Sequence, residues 1–166
     1  MSRLDGLHPQ FREKLEALQK ICTAAKIPIV WTQGLRTIEQ QDALYAQGRT
    51  TPGPIVTNAK GGESYHNYGL GADFAVKKDG KLSWEDKVDV DKDGEPDYRE
   101  VGEIGESLGL EWGGRWKKPD MPHFQMTFGL TIAQLQAGER PEMETHRVPL
   151  VGPTVNVPKV PISGTA

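Results

Sequence analysis

Along the first part of the chain, Phe11, Leu15, Leu18, Cys22 and Ala25 recur at alternating four- and three-residue steps among polar neighbours. That is the spacing of one helix face, and Pro9 suits a first turn, so the pattern predicts an amphipathic helix over residues 9–25 that Pro28 ends. The period then changes. Ile29-Val30-Trp31-Thr32 is β-branched and aromatic, which predicts a strand delivering Gln33, Gly34, Leu35 and Arg36 to its carboxyl end. Thr37 with Gln40 forms a capping box and Gly48 a stop, predicting a helix over residues 37–47. The short runs at 73–76 and 81–84 flank Asp79-Gly80, which predicts a hairpin. Residues 98–108 read as a helix closed by Gly109, and 110–112 and 122–128 as further strands. Thr131 with Gln134 opens a last short helix that Gly138 ends. The expected class is α+β, with a small, mostly antiparallel sheet packed against helices.

Two stretches carry no period. Residues 49–65 hold Gly, Pro, Thr and Asn without periodicity, and a loop of that length inside a domain is usually functional or mobile. It runs directly into His66. From Pro141 onward valine alternates with proline, which suits an extended tail or an edge strand. The expected organisation is one catalytic domain over residues 1–140 and a tail over 141–166.

A net charge of −3 over 166 residues gives no basic field for a phosphate backbone, so nucleic acid is excluded as a partner. The one cysteine, Cys22, lies on the apolar helix face, where a buried inert thiol is the common case. Nowhere do eighteen apolar residues run together, and the start MSRLDGLHPQFREK has no apolar core of a secretory signal. The expectation is a monomer made in the cytoplasm, with no integral membrane segment.

Of the four histidines, His8 starts the first helix and His146 lies in the tail, whereas His66 and His123 have chemical company. His66 precedes Asp73 by seven residues through glycines 69 and 71, and His123 follows Asp120 by three in DMPHFQM. A catalytic zinc takes three ligands from histidine and carboxylate and keeps one position open, a set that His66, Asp73 and His123 supply. The glycines let backbone pass close to a metal, so this is a loop-and-strand site rather than a helical one. Asp120 is placed to reach a water beside the metal without being a ligand, where a general base belongs; an exposed turn carboxylate is the alternative. Trp112 and Trp116 either line a substrate groove or pack in the core.

Ser64-x-His66-x-x-Gly69 with Asp73, followed by Asp120-x-x-His123, resembles the signature of the D-Ala-D-Ala-type zinc metallopeptidases. These include VanX-like dipeptidases, VanY-like carboxypeptidases and phage L-alanyl-D-glutamate endolysins, and the resemblance spans residues 8–128. It implies that His66, Asp73 and His123 bind zinc and that Asp120 is the catalytic base. It further implies that Arg36 in TQGLRT stabilises the oxyanion and that Ser64 helps hold substrate. Arg36 paired with Glu39, and Ser64 as a backbone cap, are the alternatives. Two positions depart from the family pattern: Gly71 stands where alanine is frequent, and the base is Asp where many members have Glu.

DVDKDGEPDYRE, residues 89–100, matches a calcium loop: Asp89, Asp91 and Asp93 at positions 1, 3 and 5, Gly94 at 6, the Glu95 carbonyl at 7, Asp97 at 9 and Glu100 at 12. The alternative is a solvated acidic turn. The expected whole is a zinc peptidase with a calcium loop that cuts peptidoglycan stem peptides, a phage endolysin acting on L-Ala-D-Glu in the cell wall. Its rivals are a D-Ala-D-Ala dipeptidase or carboxypeptidase, and a non-catalytic zinc and calcium binding module.

Overall fold

The computed structural model describes residues 2–143; His146 and the rest of the tail from residue 144 lie outside the described residues. The chain divides into two compact units, Met1–Met126 and Thr127–Ala166. In the first, helix α1 (Pro9–Ala24) buries Phe11, Leu15, Leu18 and Cys22. Ala25, expected on that face, is exposed and caps the helix, because Lys26 turns at φ +65° and hands the next core position to Ile27. Strand β1 (Ile29–Gln33) follows, and helix α2 (Ile38–Ala46) opens on the capping box between Thr37 and Gln40.

Strand β2 (Gly71–Lys78) is the middle of an all-antiparallel sheet. One edge pairs with β1; the other is shared by β5 (His123–Gln125) at its start and β3 (Lys81–Ser83) at its end. Strand β4 (Glu111–Trp112) then pairs with β5. The β2–β3 turn has Asp79 at φ +53° and Gly80 at φ +78°, the doubly positive geometry of the Asp-Gly hairpin. β2 extends beyond the expected 73–76 because its ladders, not its side chains, set its ends. β5 is shorter than the expected 122–128: past it, Met126 N donates to Leu70 O at 3.1 Å and Phe128 turns at φ +55°. Short 3₁₀ turns at Tyr65–Tyr68 and Gly113–Arg115 had no signal in the hydrophobic pattern. The long loop is neither helix nor strand, yet it is tied down. Arg49 donates to Tyr45 O and Thr57 O at 2.6 and 3.0 Å, and its guanidinium lies 3.8 Å over the Tyr45 ring.

Helix α3 (Asp97–Ser107) lies against β4 and β5 through a glycine face. A Cβ at Gly102 would stand 2.2 Å from the Trp112 ring, and one at Gly105 2.3 Å from the Phe124 ring. Both rings are buried, so neither can retreat. Gly105→Ala is therefore expected to destabilise the protein by about 2 kcal/mol net in denaturant titration. Overpacking of about 3 kcal/mol outweighs the ~1 kcal/mol that alanine gains as a helix former.

In the second unit, α4 (Ile132–Gln136) starts on the expected capping box: Gln134 N donates to Thr131 Oγ1 at 3.1 Å and Thr131 N donates to Gln134 Oε1 at 2.8 Å. Among the described residues no helix is long and apolar enough to cross a membrane.

Candidate active site

His66 is delivered by the 3₁₀ turn. Its backbone N–H donates to Ser64 Oγ at 3.2 Å, while Asn67 Oδ1 accepts from the N–H groups of Ser64 and Gly62 at 3.3 and 3.0 Å. The turn is fastened to the β1–α2 corner, since Asn67 Nδ2 donates to Arg36 O at 2.9 Å and Arg36 N donates to His66 O at 3.0 Å. Gly69, at φ +70°, ends it in a conformation glycine adopts without strain. Gly71 then opens β2 where a Cβ would press on His66 N at 3.1 Å and on the His123 ring at 3.2 Å. The departure from alanine at this position thus leaves both imidazoles room.

Asp73 and His123 are direct partners across the β2–β5 ladder. Asp73 Oδ1 lies 2.9 Å from His123 Nδ1 and 3.3 Å from His66 Nε2, and the ligand atoms of all three residues fall within 4.8 Å of one another. Donors spaced by about 3.3 Å are what tetrahedral zinc bonds of ~2.05 Å require. The remaining ring nitrogens are anchored behind. His66 Nδ1 donates to Gly34 O at 2.8 Å, and His123 Nε2 donates to Gln125 Oε1 at 2.9 Å. Each outer bond orients its ring so that the inner nitrogen faces Asp73, as outer partners of zinc histidines do. Burial alone would raise the Asp73 carboxyl, but hydrogen bonds from His123 and His66 hold it well below the ordinary carboxylate value. Burial opposes charge on His123, and Asp73 with Gln125 overcomes it, raising the imidazole. These three donors, two imidazoles and one carboxylate, fit Zn²⁺.

Arg36 is held at this centre by Gln41 and Asp73. Its Nη1 donates to Gln41 Oε1 at 2.8 Å and its Nη2 stands 3.8 Å from Asp73 Oδ2. Gln41 is fully buried and also donates to Ala59 O at 2.8 Å, so it clamps Arg36 to the long loop. Burial lowers the Arg36 guanidinium, against the pull of Asp73 and Asp120. Asp120 feels the same charges. Its carboxyl is raised by the protein packed behind it, and it interacts electrostatically with His123, Asp73, His66 and Arg36. The residue as a whole stays open to solvent. The two tryptophans divide: Trp112 is buried with its indole N–H donating to Met121 O at 2.8 Å, whereas the half-buried Trp116 stands 5.3 Å from the His123 ring. Cys22 is buried and its thiol is pushed up to about 12 by burial, which keeps it inert.

A family model described as D-alanyl-D-alanine carboxypeptidase matches residues 57–126, the segment that holds His66, Asp73, Asp120 and His123. The peptidoglycan L-alanyl-D-glutamate endopeptidase CwlK of Bacillus subtilis (strain 168) is 49% identical over 122 residues, 72% of this chain and 73% of that protein. The chain belongs to the M15 peptidase family. Among solved structures, the L-Ala D-Glu endopeptidase ChiX of Serratia marcescens has 25% identity and a TM-score of 0.54, covering 76% of this chain and 84% of that one. The vancomycin resistance D,D-pentapeptidase VanY, in complex with Zn(II), has 19% identity and a TM-score of 0.51 over 72% and 71% of the two chains, a likeness of fold.

Sequence reasoning about this M15 peptidase missed Gln125 and Gln41. Gln125 was discoverable: it is two residues from His123 on one strand, hence on the same face. Gln125→Leu is expected to weaken zinc binding about 10- to 100-fold in competition with a chromophoric chelator, and Gln125→Glu, which keeps an acceptor for Nε2, to restore most of it.

The acidic loop also converges. One oxygen each from Asp89, Asp91 and Asp97 lie within 4.8 Å of one another, and so do one each from Asp91, Asp93 and Glu100. Glu95 contributes its N–H to Asp93 Oδ1 at 2.9 Å, and its side chain is in neither set. Burial, followed by carboxylate neighbours, pushes Asp97 to about 6, against the bond from Val90 N. Burial and Asp93 push Glu100 to about 7. Helix α3 begins inside the loop, at Asp97, and the element immediately before the loop is β3 rather than a helix.

Proposed function

We propose that this M15 peptidase is a zinc-dependent endopeptidase that hydrolyses the L-Ala–D-Glu bond of peptidoglycan stem peptides. The observation that carries the reading is the convergence of His66 Nε2, Asp73 Oδ1 and His123 Nδ1, with Arg36 Nη2 3.8 Å from Asp73 and Asp120 in electrostatic reach of all four. The similarity to CwlK, named an L-alanyl-D-glutamate endopeptidase, supports the choice of bond. Zinc, when bound, polarises the scissile carbonyl and lowers the pKa of the attacking water. The chain's own groups do the rest. His66, Asp73 and His123 hold the ion, with their lone pairs aimed by Gly34 and Gln125. Asp120 takes the proton from the attacking water as its oxygen bonds to the carbonyl carbon. Arg36 Nη2 donates to the oxyanion, which matters most in a site shielded from water. As the C–N bond breaks, Asp120 returns the proton to the nitrogen of D-Glu. Trp116 walls the site beside His123 and offers an apolar face to the stem peptide. Ser64 spends an oxygen lone pair on the His66 turn, and its O–H remains for substrate.

The finer parts of the proposal are a monomer that serves in phage lysis, reaching the wall from the host cytoplasm, and a calcium ion in the loop of residues 89–100. The match to a D-alanyl-D-alanine carboxypeptidase model favours one second reading, an enzyme that removes terminal D-Ala. Mass spectrometry of muropeptides after digestion of purified sacculi separates them. New N-terminal D-Glu supports the endopeptidase, and released D-Ala supports the carboxypeptidase. If sacculi are left intact, and a chelator changes nothing, the peptidase proposal fails.

A further inference from the structure

We propose that one calcium ion, held by Asp89, Asp91, Asp93, Asp97 and Glu100, sets the strand that carries Asp73, with Tyr98 as the link between the two metals. The part concerning zinc rests on the peptidase reading above; the calcium site does not.

Asp91 belongs to both oxygen clusters, so the two sets merge into a single cup of five carboxylates. Crowded carboxylates alone prove little, because on a surface they turn to water. Here three oxygens have no such outlet: Asp91 Oδ1, Asp97 Oδ1 and Glu100 Oε1 are shielded from solvent and have no hydrogen-bond partner. Asp97 is the decisive one. Its residue is 0% exposed, its Oδ2 is satisfied by Val90 N at 2.6 Å, its Oδ1 has no hydrogen-bond partner, and one of its oxygens lies within 4.8 Å of oxygens of Asp89 and Asp91. A buried carboxylate oxygen without a donor is costly unless a cation meets it. An all-oxygen set without nitrogen or sulfur selects a hard cation. Calcium accepts six to eight oxygens in flexible geometry, whereas magnesium demands a near-ideal octahedron and keeps its waters, so a crowded anionic cup favours calcium.

The link follows from the next residue. Asp97 and Tyr98 open α3, and Tyr98 is 1% exposed, with its ring 5.2 Å from that of Phe74 in β2. Its hydroxyl accepts from Val76 N at 3.2 Å and donates to Ser83 O at 2.6 Å. Along that edge of β2, β5 serves residues 71–73, Pro122 O accepts from Phe74 N at 2.9 Å, and β3 serves residues 76–78. The tyrosine hydroxyl is inserted into the last pair of the β2–β3 ladder, bridging Val76 and Ser83 at the point where β3 leaves β2. An ion that pulls Asp97 inward therefore seats the adjacent Tyr98, which completes the backbone pairing three residues from Asp73.

Coupling between sites is reciprocal, and about tenfold is an ordinary size for it. Calorimetry with calcium on the full metal-free chain should show one site, with affinity lost in Asp97→Asn and in Asp91→Asn. Zinc affinity, read with a zinc-selective chromophoric chelator, should rise about tenfold on adding calcium. Tyr98→Phe should bind calcium as the wild type does but lose that rise. Absence of calcium heat at millimolar ion, or undiminished binding in both loop variants, overturns the site. A zinc affinity indifferent to calcium in the wild type, or an intact rise in Tyr98→Phe, overturns the link. Failure to bind zinc under either condition overturns the peptidase reading and the link together, while the calcium heats still support or overturn the loop on their own.

Discussion

Asp120→Ala should lower kcat about 100- to 10,000-fold while the protein keeps its full complement of zinc, the range that loss of a positioned general base produces. Asp120 lies outside the donor set, so truncating it removes no ligand. Its place is held by backbone: Asp120 N donates to Gly113 O at 2.9 Å and Asp120 O accepts from His123 N at 3.1 Å. Both bonds survive the substitution, and the β5 entry that presents His123 stays put. What disappears is a carboxyl in electrostatic reach of His123, Asp73, His66 and Arg36, raised by the protein around it toward the range where a base can both accept and return a proton. Turnover on a synthetic stem peptide and zinc by elemental mass spectrometry decide the matter. Unchanged turnover takes the base role away from Asp120, and loss of zinc along with turnover makes it part of the scaffold.

Asp73→Ala should remove zinc itself and with it all measurable hydrolysis. Asp73 is the shared vertex of the centre, within 3.3 Å of His66 and 2.9 Å of His123, with its second oxygen 3.8 Å from Arg36 Nη2. Losing an outer partner of a ligand costs about 10- to 100-fold in metal affinity, and losing one of three ligands exceeds that. The guanidinium makes it worse, since Arg36 would face an incoming cation with no carboxylate between them. The strand itself should persist, because the pairings of residue 73 with Gln33 and His123 are made by backbone. Chelator competition for zinc and far-ultraviolet circular dichroism give the two readouts. Stoichiometric zinc in a folded Asp73→Ala protein would refute the donor assignment.

The cluster of His66, Asp73 and His123 was legible in the sequence because its chemistry is rare: histidine and aspartate in a glycine run, with a second histidine after an aspartate, have few other uses. The helices were legible through their ends, Thr37 with Gln40 and Thr131 with Gln134, since a capping box names its own hydrogen bonds. What stayed hidden was whatever depends on a partner distant in sequence. Gln41 reads as one more helix glutamine until the fold brings Arg36 to one end of its amide and Ala59 to the other. The Tyr65–Tyr68 turn has no periodicity to show, because its shape comes from Ser64 and Asn67 folding back on their own backbone. β5 is shorter than its apolar run for a related reason: Met126 and Phe128 are apolar enough for a strand and Met126 still bonds to Leu70 in register, but the backbone turns away at Phe128.

The two glycines on the inner face of α3 bear on what keeps it helical. A segment carrying Gly102 and Gly105 has little intrinsic tendency to coil, and about three turns in isolation do not offset the entropy of nucleation. Its stability as a helix therefore comes from the surfaces it packs on, the rings of Trp112 and Phe124 among them, and a fragment of residues 97–107 is expected to show little helical circular dichroism by itself.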